Sequence, residues 1–208
     1  MSTQNLLVEL FVEELPPKAL KKLGEAFAAE LTESLVAQGL AEANTLKGTS
    51  VAVSNFASPR RLGAHIANVL ACAAEKSVST KLMPVAVGLD AAGNATPALL
   101  KRLAALGADA SVVSKLRRAA DGKNEALFYD SVAAGVPLAE GLQRALEAAM
   151  AKLPIPKVMT YPLADGWTTV NFVRPVHGLV ALHGADIVPV SVLGLSAGRE
   201  TQGHRFEA

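Results

Sequence analysis

Leu6-Leu7-Val8-Glu9-Leu10-Phe11-Val12-Glu13-Glu14-Leu15-Pro16-Pro17-Lys18-Ala19-Leu20 is the stretch on which the fold turns. Leu6, Val8, Leu10 and Val12 recur at period two, as in a strand with one face in a core, and Glu13-Glu14 stops the run. Pro16 and Pro17 stand where a helix start tolerates missing N–H groups. Leu20, Leu23, Phe27, Leu31 and Leu35 then recur every three or four residues down to Gly39, which predicts a long amphipathic helix. Glu13 and Glu14 precede its positive end, where the helix dipole favours a carboxylate by about 0.3–1 kcal/mol.

Working outward, Val51–Phe56 and Leu62–Leu70 read as paired strands, and Ser58-Pro59-Arg60-Arg61 between them puts two arginines at a hairpin tip. The pattern turns polar from Ala73 to Met83, and a lobe boundary falls near Ala74. Asp90–Asn94 supplies a turn. Thr96 as N-cap, Pro97, the stripe Leu99, Leu103 and Leu106, and Gly107 as terminator define a short helix. Asp109 caps another that ends near Leu116, and Asp121-Gly122 turns into a strand from Ala126 to Val132. Pro137 opens a second long helix with the stripe Leu138, Leu142, Leu146 and Met150, and Pro154 and Pro156 forbid its continuation. Val170–Leu182 and Ile187–Leu195 form an apolar hairpin whose ladder Pro175 and Pro189 restrict. Without a steady βαβ repeat, the expectation is an α+β fold: a mainly antiparallel sheet packed with two long amphipathic helices and shorter ones, in lobes 1–74 and 75–208. The polar, glycine-bearing end from Gly198 to Ala208 reads as that of a chain truncated from a longer subunit.

Of 208 residues, half are hydrophobic and 19% charged, enough to bury a core and to exclude intrinsic disorder. A formal net charge of +1 provides no global field for nucleic acid or anionic membrane, so either partner needs a local patch. The lone Cys72 forms no internal disulfide, which points to a reducing compartment, with the cytoplasm as default. Mean hydropathy is +0.30, yet no apolar run of about 18 residues is present and the first residues do not resemble a signal peptide. Aromatic content of 4% supplies no stacking platform for bases, and the single Trp167 is expected to pack inside.

Gly194-Leu195-Ser196-Ala197-Gly198 has the letters of a hydrolase nucleophile elbow, but no helical stripe follows, and only Glu200 and His204 remain as triad partners. His65, His177, His183 and His204 show no metal-ligand spacing, so no metal site is expected. Gly88–Gly93 has the glycine spacing of a phosphate loop with Asn94 where the lysine belongs. What remains are cations in loops: Lys18, Arg60, Arg61, Lys152, Lys157, Arg174, Arg199 and Arg205. Arginine forks suit phosphate, although each residue alone reads as ordinary surface.

Five segments then acquire a joint meaning: Val8–Glu9 with Glu13–Leu20, Ser58–Leu62, Lys152–Met159, Phe172–His177 and Gly203–Phe206. In order and spacing they resemble the amino-terminal part of the β subunit of bacterial tetrameric glycyl-tRNA synthetase. The resemblance implies a heterotetramer of two α and two β chains that attaches glycine to tRNA(Gly) with ATP and magnesium. The α subunit would hold the adenylation site, and the β subunit would supply tRNA contacts. On this reading Arg60, Arg61, Arg174, His177, His204 and Arg205 are candidates for contact with tRNA or the α subunit, and no residue of this chain is catalytic. Glu13, Glu14, Pro16 and Pro17 would fix the strand-to-helix junction, and Pro154 and Pro156 a rigid connection after the second long helix. The rival expectation is a scaffold that holds the α subunit without touching RNA. The fragment alone would be inactive.

Overall fold

The computed structural model describes residues 3–42, 52–90, 93–121, 124–163 and 165–203. They form two compact units, one from 1–74 with 136–208 and one from 75–135.

In the first unit, β1 (Thr3–Val12), α1 (Pro17–Ala37), β2 (Val53–Ser58) and β3 (Arg61–Leu70) follow the expected order, with the arginine turn between β2 and β3. The second unit holds β4 (Lys76–Pro84), α2 (Val85–Gly88), α3 (Pro97–Ala104), a 3-10 helix (Ala110–Lys115), β5 (Arg117–Asp121) and β6 (Asn124–Ala133). The chain then returns to the first unit with α4 (Leu138–Lys152), β7 (Met159–Pro162), β8 (Thr169–Phe172), β9 (Val176–His183), β10 (Asp186–Ile187), β11 (Ser191–Val192) and β12 (Leu195–Ser196).

The principal sheet is antiparallel in the order β10-β9-β1-β3-β2. Its register places Leu10 opposite both Leu62 and Leu179, and Val8 opposite Ala64 and Ala181, so the even residues of β1 form a buried stripe. Leu23, Phe27, Leu31 and Leu35 of α1 and Leu142, Ala145, Leu146 and Ala149 of α4 join the same core. Each fully buried Leu or Phe contributes about 1.5–3 kcal/mol. Gly24 lets α1 approach β2 closely, because a Cβ there would lie 2.6 Å from that of Ala57. Gly39, at φ +75°, ends α1, and Leu40 N–H donates to the Leu35 carbonyl at 2.9 Å.

The lobe limit at Ala74 matches the division of the chain, but residues 136–208 belong with 1–74 and not with 75–135. The reason is non-local: β9 pairs with β1 and α4 packs beside α1, contacts that periodicity cannot announce. The exit and return strands are stitched together, with Ala73 N–H donating to Val136 and Leu138 N–H donating to Ala71, both at 2.9 Å.

The 75–135 unit is an antiparallel sheet, β4-β6-β5, over a small core of Leu99, Leu103 and Leu127. Thr96 caps α3 as its sequence predicts, accepting from Leu99 N–H. Asp109 caps the expected second short helix, which is a 3-10 helix ending before Leu116, and two strands are additional to the sequence reading: β4, in the stretch read as patternless, and β5, which follows that helix. The long apolar run from Val170 breaks into β8 and β9 around Pro175, which has no N–H to give and whose carbonyl accepts from Glu13.

Candidate site at the β1–α1 corner

The odd residues of β1 face away from the helices, and Glu9, Phe11 and the loop after Val12 carry the corner's chemistry. Three backbone hydrogen bonds knit this loop to its neighbours. Val12 N–H donates to Arg60 at 2.9 Å, Leu15 N–H to Pro59 at 2.6 Å and Glu13 N–H to Pro175 at 2.9 Å. The loop before α1 is thus clamped between the β2–β3 tip and the β8–β9 bend. Leu15 anchors it in the core, and Pro17 starts the helix.

Four of the five motif segments meet directly here. Arg174 donates from Nε to the Glu14 carbonyl and from one terminal nitrogen to the Val173 carbonyl, both at 3.1 Å, with the same nitrogen 3.0 Å from Met159 Sδ. That last contact brings in the Lys152–Met159 segment. His177 Nε2 lies 3.1 Å from Glu13 Oε1, and its ring is 6.3 Å from that of Phe11. The Arg60 guanidinium sits 5.6 Å from the Phe11 ring centre on the ring's electron-rich face, and its Nε is buried without a partner among the described residues.

Arg61 belongs to a separate network. It lies 3.2 Å from Glu9 Oε1, donates to the Gln202 carbonyl, and leaves Glu9 to accept a further bond from Thr201. The two arginines of the turn therefore differ: Arg61 is neutralised by a largely buried carboxylate, while Arg60 has none among the described residues. Arg174 likewise makes no ion pair among them. Lys18 is exposed nearby in sequence. The segment that reaches Gln202 leads toward His204 and Arg205, which lie outside the described residues.

Glu13 and Glu14 act through this web and not as helix caps, since Pro16 occupies the N-cap position and no side chain caps α1. Pro154 and Pro156 are exposed in the link from α4 to β7; Lys152 at its head pairs with Glu30 of α1 at 2.7 Å. Glu9 and Met159 belong to the motif segments but carry no assigned role there, and Phe11 reads only as a strand residue. Strand alternation alone would have placed Phe11 and Glu9 on the face opposite the core. Trp167 is corrected outright: it is 91% exposed at the β7–β8 turn. Ser196 lies in the short β11–β12 ribbon, whose turn carries Leu193 and Gly194 at positive φ, so the strand–turn–helix of a nucleophile elbow is not formed. His183 is buried, its Nε2 2.8 Å from the Val69 carbonyl. Among the described residues no helix is long and apolar enough to cross a membrane, and no three His, Cys, Asp or Glu side chains gather as a metal site would require.

The five-stranded antiparallel unit thus gathers its motif segments at one corner flanked by Arg60 and Arg174. The family described as glycyl-tRNA synthetase beta subunit matches residues 6–208, and the chain belongs to it. Among relatives named glycine–tRNA ligase beta subunit, that of Thiobacillus denitrificans is 74% identical over 208 residues, that of Leptothrix cholodnii 72% over 208 and that of Dechloromonas aromatica 69% over 212. Each match covers all of this chain but only 28–29% of the relative.

Proposed function

We propose that this chain works as part of a glycine–tRNA ligase, an aminoacyl-tRNA ligase of protein biosynthesis that joins glycine to tRNA(Gly), and that the β1–α1 corner meets the RNA backbone. The observation that supports this is the pair Arg60 and Arg174. Both flank one clamped loop, both are held by backbone or ring contacts, and neither has a carboxylate partner among the described residues. A guanidinium fixed in this way can donate its remaining N–H groups to a phosphate with little further ordering. Arg61 and His177, each beside a glutamate, support the corner's shape. The family resemblance adds His204 and Arg205, which lie outside the described residues, as further contact candidates.

Adenylate formation with ATP and magnesium falls to the α subunit on this reading, in a cytoplasmic assembly of two α and two β chains. In that assembly Arg174→Ala should raise the Michaelis constant for tRNA about tenfold, equivalent to ~1.4 kcal/mol. It should also lower the slope of log affinity against log salt by about one, for one lost phosphate contact. Arg60→Ala should act in the same direction. Unchanged tRNA kinetics with weakened α–β assembly would instead assign the corner to subunit scaffolding.

A further inference from the structure

Trp167 stands on an unusually well-braced pedestal. Asp165 Oδ1 accepts from the N–H groups of Trp167 at 3.0 Å and Thr168 at 2.9 Å, its Oδ2 accepts from Thr168 Oγ1 at 2.6 Å, and Gly166 takes φ +74°. Leu163 N–H closes the turn on Thr168 at 2.8 Å. The turn is also anchored from below, because Leu163 packs on Gly194, where a Cβ would lie 2.4 Å from its Cδ1. The same hairpin exposes Val158 and Met159 at its base. Residues 158–173 contain neither lysine nor arginine, and their one charge is that of Asp165.

An indole left in water on a braced turn gives up the favourable burial of its ring, and because the backbone beneath it is already ordered, docking has only the side chain left to order. An exposed tryptophan with few charges around it is the composition of a protein interface centre, and the tip residues 162–170 carry no cation for a phosphate backbone, Lys157 and Arg174 lying at the hairpin's base. We infer that the β7–β8 hairpin is an interdomain docking tip, and that Trp167 seats in an uncharged apolar pocket of the polypeptide by which the relatives exceed this chain. This rests on the reading of the chain as part of a longer ligase subunit. More than two thirds of those relatives' length lies outside the match, and a tethered segment meets the tip at high effective concentration.

Hydroxyl-radical footprinting tests it on the 208-residue chain, the subunit-length protein, and that protein with α subunit or tRNA added. Trp167 should oxidise at least about fivefold more slowly in the subunit-length protein by itself than in the 208-residue chain, with no further change on either addition. In the subunit-length protein Trp167→Ala should expose the outlying polypeptide to protease. Equal oxidation in chain and subunit, or protection that appears only with the α subunit or only with tRNA, would overturn the assignment. None of these readouts depends on the tRNA Michaelis constant of the Arg174 variant, so either proposal can fall while the other stands.

Discussion

In the five-stranded unit a 21-residue and a 15-residue helix seal one face of the sheet, whereas the 75–135 unit has helices of four and eight residues and a 3-10 helix. The first arrangement buries a continuous core of leucines and Phe27; the second gathers a small core around Leu99, Leu103 and Leu127. Each unit also carries adjacent arginines, and in both one of the two is paired with a carboxylate: Arg61 with Glu9, and Arg117 with Asp130. The difference lies in the surroundings. The side chains of Arg61 and Glu9 are 31% and 12% exposed, those of Arg117 and Asp130 51% and 45%. The same two-residue motif is thus a structural tie in one unit and a solvated surface pair in the other.

The sharpest way to break this comparison is through the cores. Phe27→Ala should destabilise by about 3–5 kcal/mol and unfold the five-stranded unit as a whole, while Leu99→Ala should cost about 2–5 kcal/mol. Hydrogen exchange should show the Leu99 variant opening within 75–135 with β1 and β9 still protected. Loss of protection in β1 would mean that the two units unfold as one.

A smaller effect separates the arginine pairs. Arg61→Ala leaves a mostly buried Glu9 without its cation and should cost about 1.5–3 kcal/mol. Arg117→Ala should leave the melting temperature nearly unchanged, as is usual for exposed pairs. Equal losses in the two variants would erase the distinction.

The smallest effect is acid sensitivity. The hydrogen bond from Arg117 holds the Asp130 carboxyl below its ordinary value, and bonding to Ser111 does the same for Asp109. A carboxyl lowered in the folded state stabilises at pH values above its unfolded value of about 3.9, and that stabilisation fades as pH falls through the folded value. Amide exchange followed from pH 5 to pH 2 should therefore show loosening at β5 and at the 3-10 helix below about pH 4. Uniform exchange across that range would remove these carboxylates from the account.

How much was legible follows the same division. Strand β1 and helices α1 and α4 were readable because one-sided burial writes a period into the sequence, and the Arg60 turn because Pro59 punctuates it. Strand β4 was hidden, since Ser77, Val78 and Ser79 are all exposed and no alternation results. The corner's candidate residues were found through the resemblance to a family, not through periodicity. That Arg60 and Arg61 differ in partner depends on Glu9 and Thr201, which strand register and a distant segment bring to them. Trp167 was misplaced because hydrophobicity predicts burial, whereas Asp165 and Gly166 build a turn that holds the ring outward.

The pairing of β1 with β9 also sets a timetable. Leu10 cannot meet Leu179 until the intervening residues have left the ribosome, which at 5–20 residues per second is a wait of about 10–35 seconds. During that interval β3 can guard one edge of the first strand, and the 75–135 unit, which has its own core, can fold and shorten the loop still to be closed. The stitched exit and return at Ala73 and Val136 hold the two ends of the 75–135 excursion together, so once they have formed, the loop still to be closed between β1 and β9 is shorter by that excursion.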